Sequence, residues 1–203
     1  MQTTVKTKTV KLVQMAILTA ITLILTFTPL GYLRIGVVEM TLIVIPVAIA
    51  AIVVGPLGGA VLGGIFGVTS YLLCLMGLST FGTFMLNLNP WLFFIVSFVP
   101  RVLCGLLAGL IFRALQKIDK TRIVSFLVAS LSAALFNTIF YVGALILFFW
   151  NNEAFISGME ITGSIGVFII AFVGLNGLVE AIVNFIVGAG LAKVMARISK
   201  RFI

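Results

Sequence analysis

Short polar breaks divide this sequence into six long apolar runs: Leu12–Thr28, Glu39–Val54, Pro56–Gly77, Trp91–Leu115, Ile123–Trp150 and Gly163–Arg197. A helix crossing a bilayer core of roughly 30 Å needs about 20 mostly apolar residues, because it rises about 1.5 Å per residue. It must also satisfy its own backbone there, since no water is at hand. With 62% of its 203 residues hydrophobic and only 9% charged, the chain lacks the polar surface a soluble globule needs. The expected fold is therefore an all-α membrane protein with six transmembrane helices in one bundle. Residues 1–203 hold no polar stretch long enough for a soluble domain, so a single transmembrane domain is expected. The second run is short and contains Pro46, which predicts a tilted or kinked helix.

The charges orient the bundle. Lys6, Lys8 and Lys11 precede an apolar run, as in a secretory leader, but no small-x-small cleavage site follows and Pro29-Leu-Gly reads as a turn. The run is taken as a retained helix. With the N-terminus inside, six spans return the C-terminus to the cytoplasm, and eleven of the thirteen basic residues fall on that side. They comprise the three N-terminal lysines, Arg113, Lys117, Lys120 and Arg122 between the fourth and fifth spans, and Lys193, Arg197, Lys200 and Arg201 at the end. This satisfies the positive-inside rule and accounts for the net charge of +8 by topology, with contact to anionic lipid rather than nucleic acid as its corollary. The expected location is the cell membrane, crossed several times.

Several chemistries are excluded early. The sequence has no histidine, which removes the usual zinc sites and Ser-His triads. Cys74 and Cys104 lie inside apolar runs, where a thiol behaves as a small hydrophobe. No nucleophile–base pair or metal set is visible, so no enzyme activity and no cofactor are expected of this chain.

Two charges stand inside apolar runs, Arg101 and Glu180. An arginine at the centre of a membrane helix costs about 2.5–3.5 kcal/mol on insertion scales, and such residues normally face a protein interior, a partner charge or a ligand. Asn176, Glu180 and Asn184 are spaced i, i+4 and i+8, and Asn137 and Tyr141 are spaced i, i+4, so each set shares a helix face. Three helices thus carry guanidinium, acid, amide and phenol groups at similar depth. One reading is an Arg101–Glu180 ion pair that locks the bundle. The other is a cavity where Arg101 receives an anionic or carbonyl group and the amides orient a small polar molecule. The second is preferred, because packing alone does not require polar groups on three helices beneath two long outer loops, 79–90 and 151–158. Asn87, Asn89 and Trp91, at the foot of the first loop, join Arg101, Asn137, Tyr141, Asn176, Glu180 and Asn184 as candidate substrate contacts. Pro100 beside Arg101 frees a carbonyl one turn back and favours a bend around a cavity.

Small residues mark the packing faces. Gly55, Gly59, Gly63 and Gly67 recur every four residues, and Gly105 and Gly109 repeat the spacing in the fourth run. Such a stripe lets backbones approach closely; Gly55-Pro-Leu-Gly-Gly lacks the Lys and Ser/Thr of a phosphate-binding loop. Ala16 and Ala20 form a shorter stripe near the basic end of the first helix, suited to docking against another membrane protein.

Six helices, the Ala16-x-x-x-Ala20 stripe, the glycine-rich third helix and the long third loop together resemble the S components, the substrate-binding subunits of energy-coupling factor (ECF) vitamin transporters. The segment Asn89-Pro-Trp through Phe98-Val-Pro-Arg101-Val-Leu-Cys-Gly105 looks most like the pantothenate-type members. The resemblance implies a high-affinity vitamin site and a transmembrane coupling (T) subunit docked at Ala16 and Ala20. It also implies two cytoplasmic ATPase subunits, which hydrolyse the ATP, and transport by toppling of the S component in the membrane. Pantothenate, an anion with hydroxyl and amide groups, suits Arg101 among asparagines. Pyridoxine or hydroxymethylpyrimidine would suit Glu180 and the amides. A solitary channel or secondary carrier, using Arg101 and Glu180 as a relay, is the reading outside the family, and the chain shows no clear inverted repeat.

Overall fold

The computed structural model describes residues 2–29, 31–35, 38–119, 123–159, 164–170, 177–187 and 190. In chain order these form α1 (Gln2–Phe27), a hairpin of β1 (Tyr32–Ile35) and β2 (Val38–Thr41), α2 (Val44–Val53), α3 (Pro56–Leu75), α4 (Thr80–Leu88), α5 (Pro90–Leu115), α6 (Ile123–Phe149) and α7 (Glu153–Gly158). Helical residues follow at 165–170 and at Gly177–Val187.

Four helices are long and apolar enough to cross a membrane: Lys8–Phe27 within α1, and the whole of α3, α5 and α6. Their positions agree with the first, third, fourth and fifth apolar runs. The second run is different. Its first residues belong to β2, which pairs antiparallel with β1 and sets Arg34 opposite Glu39 in register. The fold is helical as expected, with this one small hairpin added, its strands rich in the β-branched and aromatic types that favour a pleated surface. What remains as helix, α2, has 10 residues and so rises about 15 Å, half of a bilayer core. It is buried nearly all round, through Val44, Val47, Ala48, Ala50, Ala51 and Ile52, as befits a helix that is apolar on every face. It packs on α1, α3, α5 and α6, and so forms the centre of the bundle at the basic end.

The tightest seam joins α3 to α5, antiparallel. A Cβ added at Gly59 would strike the Gly105 carbonyl oxygen, one at Gly105 would strike that of Gly59, and one at Gly63 would strike that of Arg101. The glycine stripe is therefore backbone contact over several turns, as its spacing predicted. Where α2 passes into α3, Gly55 has φ +113°, a conformation that side-chain-bearing residues rarely adopt, and Pro56 occupies the first turn of α3. Next to this seam, Thr26 donates to the Thr22 carbonyl at 2.8 Å and lies 3.4 Å from the Thr69 hydroxyl, which fastens α1 to α3.

The two long loops, 79–90 and 151–158, are more structured than their polarity suggested. The Ser79 hydroxyl accepts from Gly82 N at 3.1 Å and starts α4. Asn152 Oδ1 accepts from Ala154 N at 2.9 Å and Phe155 N at 3.2 Å and starts α7. These are N-caps, each worth about 1 kcal/mol. Met85 of α4 and Phe155 of α7 are fully buried beside Phe93, Val96, Phe149 and Phe168, an aromatic cluster at the end of the bundle away from the basic residues.

Candidate functional site

Halfway along α5, about 16 Å from its first residue by helical rise, Arg101 points into the bundle and is 8% exposed. Pro100 removes one backbone donor there, and the Arg101 side chain turns back on its own helix, Nη1 donating to the Ser97 carbonyl at 2.5 Å. Nη2 donates to Ser70 Oγ on α3 at 3.3 Å. The guanidinium carbon lies 4.5 Å from the Phe66 ring centroid and 5.1 Å from that of Tyr141, so α3 and α6 hold it between two aromatic faces. Each desolvated cation–π contact is worth about 1–2 kcal/mol and each hydrogen bond from a charged donor about 1.5–3 kcal/mol. Together these offset the roughly 3 kcal/mol that burying the arginine costs. Of the three nitrogens, Nε is the one buried with no hydrogen-bond partner among the described residues.

One turn from Tyr141 on α6, Asn137 donates through Nδ2 to Glu180 Oε1 at 3.1 Å. Glu180 is 5% exposed. Among the described residues no ion pair joins it to Arg101, so the locking salt bridge is absent and the two charges are held by different neighbours. The cluster runs from Arg101 through Tyr141 and Asn137 to Glu180.

The other sequence candidates lie elsewhere. Asn184 folds onto its own helix, Nδ2 donating to the Glu180 carbonyl at 2.9 Å. Asn89 caps α5, its Oδ1 accepting from Leu92 N at 3.1 Å. Asn87 is exposed on α4, and Trp91 is 81% exposed on the first turn of α5, the position of a membrane-interface anchor. Asn176 lies outside the described residues. Cys104 donates to the Ala133 carbonyl at 3.1 Å and Cys74 is buried, both outside any disulfide and in packed positions. Ala16 and Ala20 are exposed on one face of α1, while Leu18 and Thr22 turn to the bundle. Sequence reasoning missed Phe66, Ser70 and Ser97. The signal for the first two was present, since both follow glycines of the α3 stripe by three residues and so lie beside the face that meets α5.

Residues 10–192 match the family described as ECF transporter, substrate-specific component. The chain belongs to that family. Its members are transporter subunits rather than enzymes, and the long apolar helices agree with a multi-pass protein of the cell membrane. Among curated proteins, the chain is similar to the "Pantothenate transporter PanT" of Leuconostoc mesenteroides subsp. mesenteroides, 30% identical over 181 residues that cover 85% of this chain and 84% of that protein. In this ECF component, the Arg101 cluster is the place where the bundle carries charge and amide groups toward one another beneath α4 and α7.

Proposed function

We propose that this S component takes up pantothenate, with Arg101 as the anchor of its carboxylate. The observation that carries the reading is the buried Arg101 Nε, which has no hydrogen-bond partner among the described residues, on a guanidinium that makes no ion pair among them. The planar fork of arginine matches a carboxylate with two parallel hydrogen bonds, and Nε beside Nη2 is such a fork. The Tyr141 ring lies 5.1 Å from the guanidinium carbon, and Asn137 is one turn along α6 from Tyr141, so both are suited to receive hydroxyl and amide groups. Asn137 holds the Glu180 carboxyl to one side, at 3.1 Å, which limits its repulsion of an incoming anion. The similarity to a pantothenate transporter supports the same substrate.

The proposal includes six spans, with α2 and its hairpin as the second and the segment around Gly177–Val187 as the sixth, and both termini in the cytoplasm. Family membership implies a T subunit and two ATPases as partners, and the exposed Ala16 and Ala20 support docking there.

Isothermal titration of the purified protein tests the substrate. Pantothenate should bind the wild type, and Arg101→Gln should weaken it at least about 30-fold, the effect of removing about 2 kcal/mol of buried charge pairing. The corresponding neutral alcohol should bind both forms alike. Equal binding of the acid to both forms would remove Arg101 as anchor. Tight binding of a pyridoxine-like or pyrimidine ligand instead would shift the reading to Glu180, whose carboxyl in the same cluster favours a neutral or cationic solute. Flux in proteoliposomes lacking ATPase subunits would mark a solitary carrier.

A further inference from the structure

At the basic end of the bundle, α2 stops, α3 starts, α5 ends and α6 begins around an open recess of about 310 Å³, in which Arg113 and Gln116 are exposed. It is remote from the Arg101 cluster along α5, by twelve residues or about 18 Å of helix. Ile52 and Val54 of the α2 end, Gly55, and the rings of Phe112 and Phe126, 5.0 Å apart, form its wall, with Arg113 and Gln116 as the polar members. The Arg113 guanidinium lies over Gly55: a Cβ there would meet Nη2 at 2.7 Å, so the glycine with φ +113° also makes the space the arginine occupies.

Arg113 makes no ion pair or hydrogen bond among the described residues. The nearby carboxylate is engaged elsewhere, since Asp119 Oδ2 accepts from Ser125 N at 2.9 Å and Ser125 Oγ at 3.0 Å and so caps α6. Gly55 precedes the first turn of α3, whose positive end adds to the field in the cavity. At about 30 Å³ per liquid water the space holds roughly ten waters, the low end for a ligand site and enough for a small headgroup but not a whole lipid. Leu57, 78% exposed, and Ile118, 82% exposed, lie within two residues of lining positions and offer apolar surface beside the cavity.

We propose that this cavity binds a phosphate-ester anion, carried by an anionic phospholipid, with Arg113 as the charge anchor and Phe112 and Phe126 against the glycerol of the headgroup. Guanidinium matches phosphate in charge and in fork geometry, and basic recesses between membrane helices are suited to such headgroups. The apolar wall favours the lipid over a free anion. The site is independent of the solute taken at Arg101.

Native mass spectrometry of the detergent-solubilised protein tests it, with phosphatidylglycerol, phosphatidylcholine or inorganic phosphate added. The wild type should retain phosphatidylglycerol, and Arg113→Gln should lower that occupancy about tenfold, the equivalent of about 1.4 kcal/mol. Phe126→Trp, which fills the cavity and keeps the charge, should lower it too, whereas Lys117→Gln should leave it unchanged. Full retention by Arg113→Gln would overturn the proposal, or, should that variant not fold, full retention by Phe126→Trp. An equal loss in Lys117→Gln would also overturn it, because the attraction would then be diffuse. Displacement of the lipid by millimolar phosphate would overturn the lipid as occupant.

Discussion

Gly67→Ala puts the α3–α5 seam and the Arg101 site into one experiment. A Cβ at position 67 would lie 2.8 Å from Phe98 Cα and 2.9 Å from the Ser97 carbonyl oxygen. Carbon atoms pack at about 3.5–4.0 Å, so the helices must separate by about 0.7 Å. Both obstacles are backbone, and one of them is the acceptor for Arg101 Nη1. The Arg101–Ser70 bond, already 3.3 Å, would open to about 4.0 Å and be lost. Overpacking costs about 1–3 kcal/mol, and a lost bond to a charged donor adds about 1.5 kcal/mol or more. Ligand affinity should therefore fall at least about tenfold, with a lower melting temperature in detergent. Two other glycines calibrate the result. At Gly64 the nearest obstacle is the Phe98 ring edge at 3.3 Å, which can shift, and at Gly143 nothing described lies within 4 Å. Titration calorimetry and thermal melts on all three alanine variants should rank Gly67 as most harmful and Gly143 as neutral. If Gly67→Ala binds and melts like Gly143→Ala, the seam does not position the arginine.

Ser70→Ala removes the α3 acceptor for Nη2 and should weaken a carboxylate ligand about threefold to tenfold while sparing its neutral alcohol analogue; an equal loss for both would mean a general packing defect. Ala16→Trp or Ala20→Trp should abolish co-purification with a T subunit at unchanged ligand affinity, because both positions are exposed on α1, and retained co-purification would place the interface elsewhere. Asn152→Ala removes the cap of α7 and about 1 kcal/mol with it, which hydrogen exchange should read as faster exchange confined to residues 153–158. Unchanged exchange there would show that packing of Phe155 alone holds the turn.

The long helices were legible because length and apolarity are local properties, and so was the α3 stripe, because a four-residue period needs no knowledge of the partner. The shorter elements were hidden for the same reason. Three of the four residues of β2 open the second run, and only pairing with β1 separates them from α2. At Asn89 a further role was legible: an asparagine directly before Pro90 is the sequence pattern of a helix start, and its Oδ1 caps α5. Arg101, Asn137 and Glu180 could be named from their isolation in apolar surroundings. That Asn137 holds Glu180, and that Phe66 and Ser70 hold Arg101, depends on contacts between helices 31 or more residues apart, which no periodicity encodes.

Gly158 of α7 sits so close to the Phe84 ring of α4 that a Cβ there would have to displace the ring. Helices far apart in sequence are thereby interlocked over a cluster in which Met85 and Phe155 are fully buried. Lifting either helix exposes apolar surface of both, at about 25 cal/mol per Å². At the end of the bundle away from the basic residues, α4 and α7 thus pack as one unit rather than two independent flaps. On the proposed reading, a solute held at Arg101 would leave by this end only when the two helices part together, so its retention would depend on that shared packing as well as on the polar anchors.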